Sequence, residues 1–190
     1  MMTSIKPSNC ETIEMSRDLY ESFCQSKSNG MILFYQSWSG DCIRLAHDWD
    51  RIGKDDITNH VFIGKVDCGN HDDFCKEKDV RNWPTIFYYR NGTEHIYSGS
   101  LAYEDLSLFI LEEISPRCEL DHTINCTDKA KSFVAKWKQK TLQERRTEIQ
   151  RLEMMLKKEH GMKLDLKRWI KERIMILKSD NALDHNTDEL

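Results

Sequence analysis

The stretch FYQSWSGDCIRLAHDW, residues 34–49, decides how the rest of the chain is interpreted. An apolar run at residues 31–35 leads into it and predicts a buried strand, and after Gly40 the apolar residues recur at helical spacing. Between strand and helix lies the sequence Trp38-Ser39-Gly40-Asp41-Cys42. The stretch therefore predicts a strand–turn–helix unit with a single cysteine in the first turn of the helix.

Hydrophobic patterns on both sides extend this unit into an α/β domain. They predict a short strand near residues 10–13, a helix over 16–25 capped by Ser16, a strand at 61–66, a helix over 71–79, a hairpin of residues 85–89 and 95–98 around Asn91-Gly92, and a helix over 103–114. Continuous apolar strands suit a sheet that is covered on both faces. The order β-α-β-α-β-α-β-β-α predicts an α/β fold, a mixed sheet flanked by helices, over residues 1–118.

The composition changes near residue 127, where helix-forming residues begin to dominate. Apolar positions keep helical spacing from Phe133 to Leu156, and a second amphipathic stretch runs from Leu166 to Leu177. We expect a helical hairpin within the basic segment 119–178, followed by a flexible tail over residues 179–190.

The net charge of −4 hides two regions of opposite charge. Residues 127–178 carry 16 Lys and Arg and 7 Asp and Glu, a net charge of +9, so the rest of the chain is acidic. The basic helices form either a solvated surface that complements the acidic body or a docking surface for an acidic protein partner. Nucleic acid binding is not expected, because acids alternate with these bases. No apolar stretch is long enough to predict a membrane span.

Cysteine spacing, acceptor sequons and the final residues indicate an oxidising compartment. Two cysteine pairs, Cys68 with Cys75 and Cys118 with Cys126, are close enough to be bridged locally. The sequons predict glycosylation at Asn91 and Asn125. The terminal residues Thr187, Asp188, Glu189 and Leu190 form a variant of the endoplasmic reticulum retention signal. We expect a protein of the endoplasmic reticulum lumen whose signal peptide has been removed, since residues 1–7 contain none.

Residues 31–114 resemble a thioredoxin-like domain, and within that superfamily the protein disulfide isomerases. The resemblance rests on Phe34-Tyr35 ahead of Trp38-Ser39-Gly40-Asp41-Cys42, on Val66-Asp67-Cys68 with Cys75 and Val80, on Trp83-Pro84-Thr85, and on Tyr97 with Gly99. It implies a Cys68–Cys75 disulfide and a cis Trp83–Pro84 bond beside a free backbone edge. It also implies a peptide-binding surface formed by Trp38, Gly40, Asp41, Trp83, Pro84 and Thr85.

In the isomerases the site reads Trp-Cys-Gly-His-Cys, where the first cysteine attacks as a thiolate and the second resolves the mixed disulfide. Here Ser39 stands at the attacking position, and a hydroxyl cannot form a disulfide, so only Cys42 remains. Asp41 replaces a histidine, and a carboxylate disfavours a nearby thiolate. The family's buried acid aligns with Leu33, and an arginine that tunes the second thiol aligns with Leu101. The resemblance therefore predicts a degenerate catalytic site at Ser39 and Cys42.

Three interpretations of Ser39 remain open. It can be a helix N-cap that accepts hydrogen bonds from free amides. It can leave Cys42 as a single thiol that captures clients, or it can be a serine substituted into an otherwise active isomerase. Cys118, His122 and Cys126 could begin a metal site, but no fourth ligand is evident and a disulfide is favoured.

The sequence thus predicts a redox-inactive or weakly active isomerase-like protein that binds unfolded or partly folded secretory proteins, with a retention receptor bound through its C-terminus. The alternative is a single-cysteine thiol-disulfide oxidoreductase acting through Cys42. A third hypothesis makes the helical hairpin a dimerisation device. Neither a cofactor nor a metal is expected.

Overall fold

The structure, a computed structural model, describes residues 12–58, 60–158 and 160–179. The chain divides between Ser115 and Pro116 into two compact units. The start of the first predicted strand and the predicted retention residues Thr187 to Leu190 lie outside the described residues. In the described part of the chain, no helix is long and apolar enough to cross a membrane.

The first unit is built on a five-stranded mixed sheet with the element order that the sequence predicted. The elements are β1 (Ile13–Glu14), α1 (Arg17–Ser26), β2 (Gly30–Tyr35), α2 (Gly40–Gly53), β3 (Phe62–Asp67), α3 (Asp72–Glu77), β4 (Thr85–Arg90), β5 (Thr93–Ile96) and α4 (Tyr103–Phe109), which continues as a π-helical turn, Ile110–Ile114. The strand order is β1-β3-β2-β4-β5. Strand β3 is parallel to β1 and β2, whereas β4 is antiparallel to β2 and β5. The predicted fold class is confirmed.

The packing of strand β2 on both faces of the sheet explains why its sequence is apolar throughout instead of alternating. Ile32 and Phe34 enter a core on one face of the sheet, and Met31 and Leu33 enter a second core on the other face. Successive side chains of a strand point to opposite faces, so a strand that is buried on both sides must be apolar throughout. The central strand is thereby fixed, and the turn that follows it is held at one end of the sheet.

Local signals set the ends of several elements. Ser16 caps α1 as predicted, because its hydroxyl accepts a hydrogen bond from the Leu19 amide at 3.3 Å. Asn91 and Gly92 form the turn between β4 and β5, with φ angles of 52° and 77°. A left-handed backbone is common for these two residue types in tight hairpins.

The described residues of the second unit form three helices where the sequence predicted two: α5 (Asp128–Trp137), α6 (Leu142–Lys157) and α7 (Leu164–Lys178). The first predicted helix is interrupted because Thr141 starts a new one. The Thr141 hydroxyl accepts from the Glu144 amide at 3.2 Å, and the Glu144 carboxylate accepts from the Thr141 amide at 2.9 Å. This capping box satisfies two amides that a continuous helix would have bonded internally.

The basic helices pack around two apolar clusters, to which the two tryptophans contribute. Trp137 and Trp169 both contact Phe133, with ring centroids 5.8 and 5.7 Å apart. Both tryptophans are partly buried against the apolar side chains of α5, α6 and α7. Both tryptophans therefore contribute to the core of this unit.

Candidate functional site

Two loops meet at the end of the sheet where β2 finishes. Strand β2 leads into the segment 36–39, and β4 begins at Thr85, directly after Pro84. The two strands are antiparallel neighbours, with Phe34 opposite Thr85. The sheet register therefore brings the predicted peptide-binding residues of both loops together.

Ser39 occupies the N-cap position of α2 but does not cap the helix with its side chain. Its carbonyl accepts from the Ile43 amide at 2.9 Å, which is the first bond of the helix. Its hydroxyl instead donates to the backbone carbonyl of Trp83 at 3.4 Å. Of the three interpretations of Ser39, the one in which its hydroxyl accepts bonds from helix amides is not seen, because the hydroxyl turns toward the loop before Pro84.

Cys42 lies in the first turn of α2 and is only 4% exposed. Within the described residues it is one of two free cysteines, the other being Cys24 in α1. The Ser39 hydroxyl thus contacts the loop before Pro84, and Cys42, the only thiol of α2, is buried. The arrangement provides one sulfur with little access to a large substrate.

Asp41 points to solvent and forms an ion pair with Arg44, three residues later on α2. Both side chains are more than half exposed, so solvent screening leaves the pair a small contribution to stability. Gly40 precedes Asp41 as the first residue of the helix. The head of α2 is therefore small and polar, and it carries no histidine that could exchange protons with a thiol.

Two tryptophans lie beside these residues, the exposed Trp38 and the partly buried Trp83, and we call the pair the tryptophan face. The Trp38 side chain is 70% exposed and packs edge-on against Trp83, with ring centroids 5.9 Å apart. The Trp83–Pro84 peptide bond is cis, as predicted. Within the described residues, the Trp83 amide has no hydrogen-bond partner. The site thus combines an apolar surface with a free backbone donor.

Leu33 is 3% exposed and lies opposite Lys65 on the neighbouring strand. Lys65 forms an ion pair with Asp50, in which Lys65 Nζ donates to Asp50 Oδ1 at 3.2 Å. Burial opposes ionisation of Asp50, but hydrogen bonds from Thr12 and Lys65 outweigh it and lower the pKa of Asp50 below its usual value. Sequence reasoning missed this pair, although a lysine inside the apolar run of β3 was the available signal.

Leu101 lies in the loop before α4 and is 39% exposed. The resemblance predicted apolar replacements of charged family residues at Leu101 and Leu33, and that alignment stays a prediction.

The other end of β4 carries a polar cluster that the sequence did not predict. Glu94 Oε2 accepts hydrogen bonds from the hydroxyls of Tyr20 and Tyr89, both at 2.6 Å, and from Lys78 Nζ at 2.7 Å. Burial alone would raise the pKa of Glu94, but these donors lower it below its usual value, whereas burial and Glu94 raise the pKa of Tyr89. The cluster ties α1 to the β4–β5 hairpin, and it stands apart from the tryptophan face.

Both close cysteine pairs form disulfides. Cys68–Cys75 joins the end of β3 to α3, and Cys118–Cys126 closes a loop ahead of α5. The second bridge uses both sulfurs of the alternative metal site that included His122. Asn91 lies in the β4–β5 turn, and Asn125 lies within the second disulfide loop.

Known proteins resemble the first unit. Residues 11–112 match the thioredoxin family. The chain is 30% identical over 124 residues to the protein disulfide-isomerase-like protein EhSep2 of Emiliania huxleyi, covering 63% of this chain and 56% of that protein. It is 26% identical over 112 residues to protein disulfide-isomerase 5-1 of Arabidopsis thaliana, covering 57% and 77%.

Among solved structures, the J-Trx1 fragment of ERdj5 superposes with a TM-score of 0.50 at 26% identity, covering 53% of this chain and 50% of the fragment. The matched part of the chain spans between 20% and 77% of the length of eight curated relatives. The matched family covers more than half of the chain, and the two curated relatives named above are protein disulfide isomerase-like. The chain therefore belongs to the thioredoxin family.

Proposed function

We propose that this protein is a disulfide isomerase-like binding module of the endoplasmic reticulum lumen, which holds unfolded or partly folded secretory chains without exchanging disulfides with them. The observation that carries the proposal is the contact between the Ser39 hydroxyl and the Trp83 carbonyl. Disulfide exchange begins with attack by a thiolate. At this site the atom in the attacking position is an oxygen, and the remaining sulfur, on Cys42, is buried.

The tryptophan face supplies the binding surface. An extended peptide gains main-chain hydrogen bonds by pairing with a free backbone edge and gains specificity by placing its side chains on neighbouring surfaces. The unpartnered Trp83 amide supports the first contribution, and the exposed Trp38 ring supports the second. Clients would therefore be extended, apolar segments of the kind that unfolded chains expose.

The proposed location rests on separate features of the chain. Two disulfides in a chain of 190 residues are typical of oxidising compartments and rare in the cytosol. The sequons at Asn91 and Asn125, and the terminal residues 187–190, agree with a resident of the secretory pathway.

Peptide binding can be tested with one substitution in the tryptophan face. We expect Trp38→Ala to weaken binding of an extended, apolar fluorescent peptide at least tenfold in a fluorescence anisotropy titration. A tenfold loss is about 1.4 kcal/mol, which roughly 60 Å² of covered apolar surface supplies. The matched control is Ile124→Ala in the second unit, because Ile124 is 87% exposed and lies outside the site. Equal affinities for the two variants would contradict the proposal.

A second candidate function, single-cysteine oxidoreduction, is favoured by one observation: Cys42 is a free thiol in the first turn of a helix. The two candidates differ in how readily that thiol reacts. A binding module predicts that Cys42, at 4% exposure, is alkylated more slowly than the half-buried Cys24 of the native protein. Rapid alkylation of Cys42, with client adducts that disappear in Cys42→Ala, would establish the oxidoreductase instead.

The basic second unit extends the proposal to an acidic protein partner. Residues 127–178 have a net charge of +9 when their own acids, such as Glu153 paired with Lys178, are counted, and Lys138 also pairs with Asp121, which lies outside this range. Electrostatic attraction of this kind falls with ionic strength. We expect binding to a poly-glutamate peptide that weakens as salt is raised. If the unit instead drives dimerisation, sedimentation will show a mass that depends on protein concentration and no affinity for the peptide.

A further inference from the structure

The two sequons differ in the state of their side chains. In the first, Asn91 and Thr93 are exposed at the β4–β5 hairpin, and within the described residues no side-chain atom of either makes a hydrogen bond. The backbone amide of Asn91 donates to Asn29 Oδ1 at 2.9 Å, and this bond does not use the Asn91 carboxamide. This sequon stays open to an enzyme whether or not the chain has folded.

In the second sequon, both side chains that define the motif are engaged. Asn125 Nδ2 donates to the carbonyl of Arg117 at 3.4 Å, and Thr127 Oγ1 accepts from the Ala130 amide at 3.1 Å as the N-cap of α5. The motif requires a hydroxyl two residues after the asparagine, so this hydroxyl takes part in recognition. In the folded unit this hydroxyl already accepts a hydrogen bond from the Ala130 amide of α5.

The middle residue of the second sequon is itself cross-linked. Cys126 is bonded to Cys118 and is only 7% exposed. Backbone hydrogen bonds from Glu119 to His122 at 3.2 Å and from Cys126 to Thr123 at 3.1 Å fix the loop between the two cysteines. An enzyme therefore cannot straighten residues 125–127 without opening the bridge or the first turn of α5.

We propose that the Cys118–Cys126 disulfide controls glycosylation at Asn125: a glycan is added there only before the bridge closes, whereas Asn91 is modified regardless. The inference rests on the proposed location, where lipid pyrophosphate-linked oligosaccharide is the sugar donor. In the transfer, Asn125 Nδ2 bonds to the anomeric carbon, the bond from that carbon to the pyrophosphate breaks, and the amide loses a proton to base. In the competing step the two thiols lose two electrons and two protons to a disulfide of an oxidising protein, which becomes a dithiol.

The test counts glycans on the full chain translated behind a secretory signal peptide in the presence of microsomes. An Asn91→Gln background leaves Asn125 as the acceptor under study. Into this background we place either Cys118→Ser, which opens the bridge and leaves the sequon intact, or Cys68→Ser, which removes the other disulfide as a matched control. The gel shift removed by glycosidase measures the occupied fraction.

We expect less than half of the Asn125 sites to be occupied when the bridge can form, a rise of at least twofold with Cys118→Ser, and no change with Cys68→Ser. Equal occupancy with and without Cys118→Ser, or an equal rise with Cys68→Ser, would overturn the proposal. In an Asn125→Gln background, an Asn91 site left unmodified would overturn its other half. Because the signal peptide delivers the chain, these outcomes are independent of whether the protein binds clients.

Discussion

The replacement Leu33→Glu tests whether the apolar packing around Leu33 excludes an acidic side chain. Leu33 is 3% exposed and belongs to the same apolar cluster as Trp49 and Leu45. Full burial of a leucine side chain contributes about 1.5–3 kcal/mol, and an unsatisfied buried polar group costs about 1–3 kcal/mol. We therefore expect Leu33→Glu to lower the free energy of unfolding by about 3–5 kcal/mol. Leu33→Met, which keeps the volume and apolarity, should cost less than about 1.5 kcal/mol.

The dependence on pH has a definite sign. Burial disfavours the charged carboxylate, so the introduced acid has a pKa above its unfolded value of about 4.3. Above that value the folded variant binds more protons than the unfolded one, and its stability falls by up to about 1.4 kcal/mol per pH unit until the folded pKa is passed. Urea unfolding between pH 5 and 8, followed by fluorescence of the buried Trp49, measures both effects. A loss below about 1 kcal/mol that does not change with pH would refute the reasoning, because it would show that the site still accommodates an acid.

Three further changes probe other parts of the structure. We expect Glu94→Gln to lower the free energy of unfolding by about 1–2 kcal/mol at pH 7, a figure discounted for partial exposure. The variant should also lose less stability below pH 4.5 than the unaltered protein, because Glu94, with its lowered pKa, stabilises the fold only while it is ionised. Urea unfolding at pH 7 and pH 4 measures both effects. Thr141→Ala should cost about 1 kcal/mol and speed amide hydrogen exchange in the first turn of α6 before other helices. Replacing Cys68 and Cys75 together by serine should cost about 2.5 kcal/mol in the chain-entropy model, read from urea unfolding of the oxidised protein and the variant. Unchanged stability in any of the three would remove the corresponding interaction from the account.

The sequence predicts the first unit well because its signals are local. Continuous apolar strands, the Asn91-Gly92 turn and the Ser16 cap each act within a few residues, and the cysteines of each bridge are near neighbours in the chain. The signal for the interruption before α6 is also local. The capping box at Thr141 marks it, but the apolar spacing continues across the break and favours a single helix.

The details of the candidate site depend on contacts between distant parts of the chain. The direction of the Ser39 hydroxyl is set by a carbonyl 44 residues away, and no local pattern encodes it. The link between Tyr20 and Glu94 joins residues 74 positions apart. The first contact follows from the sheet register, which places β4 beside β2, whereas the second joins α1 to β5. The sequence predicts which residues form the candidate site, and the structure gives their hydrogen-bond partners.

We propose that the site lacks redox chemistry because Ser39 places an oxygen at the position that the resemblance assigns to an attacking sulfur. The most direct test of this proposal is insulin reduction by glutathione in the presence of the unaltered protein, Ser39→Cys and Cys42→Ala. The account predicts no turnover above the uncatalysed rate for the unaltered protein and for Cys42→Ala, with turnover appearing only in Ser39→Cys. Turnover by the unaltered protein that is lost in Cys42→Ala would contradict the account and establish Cys42 as a working nucleophile.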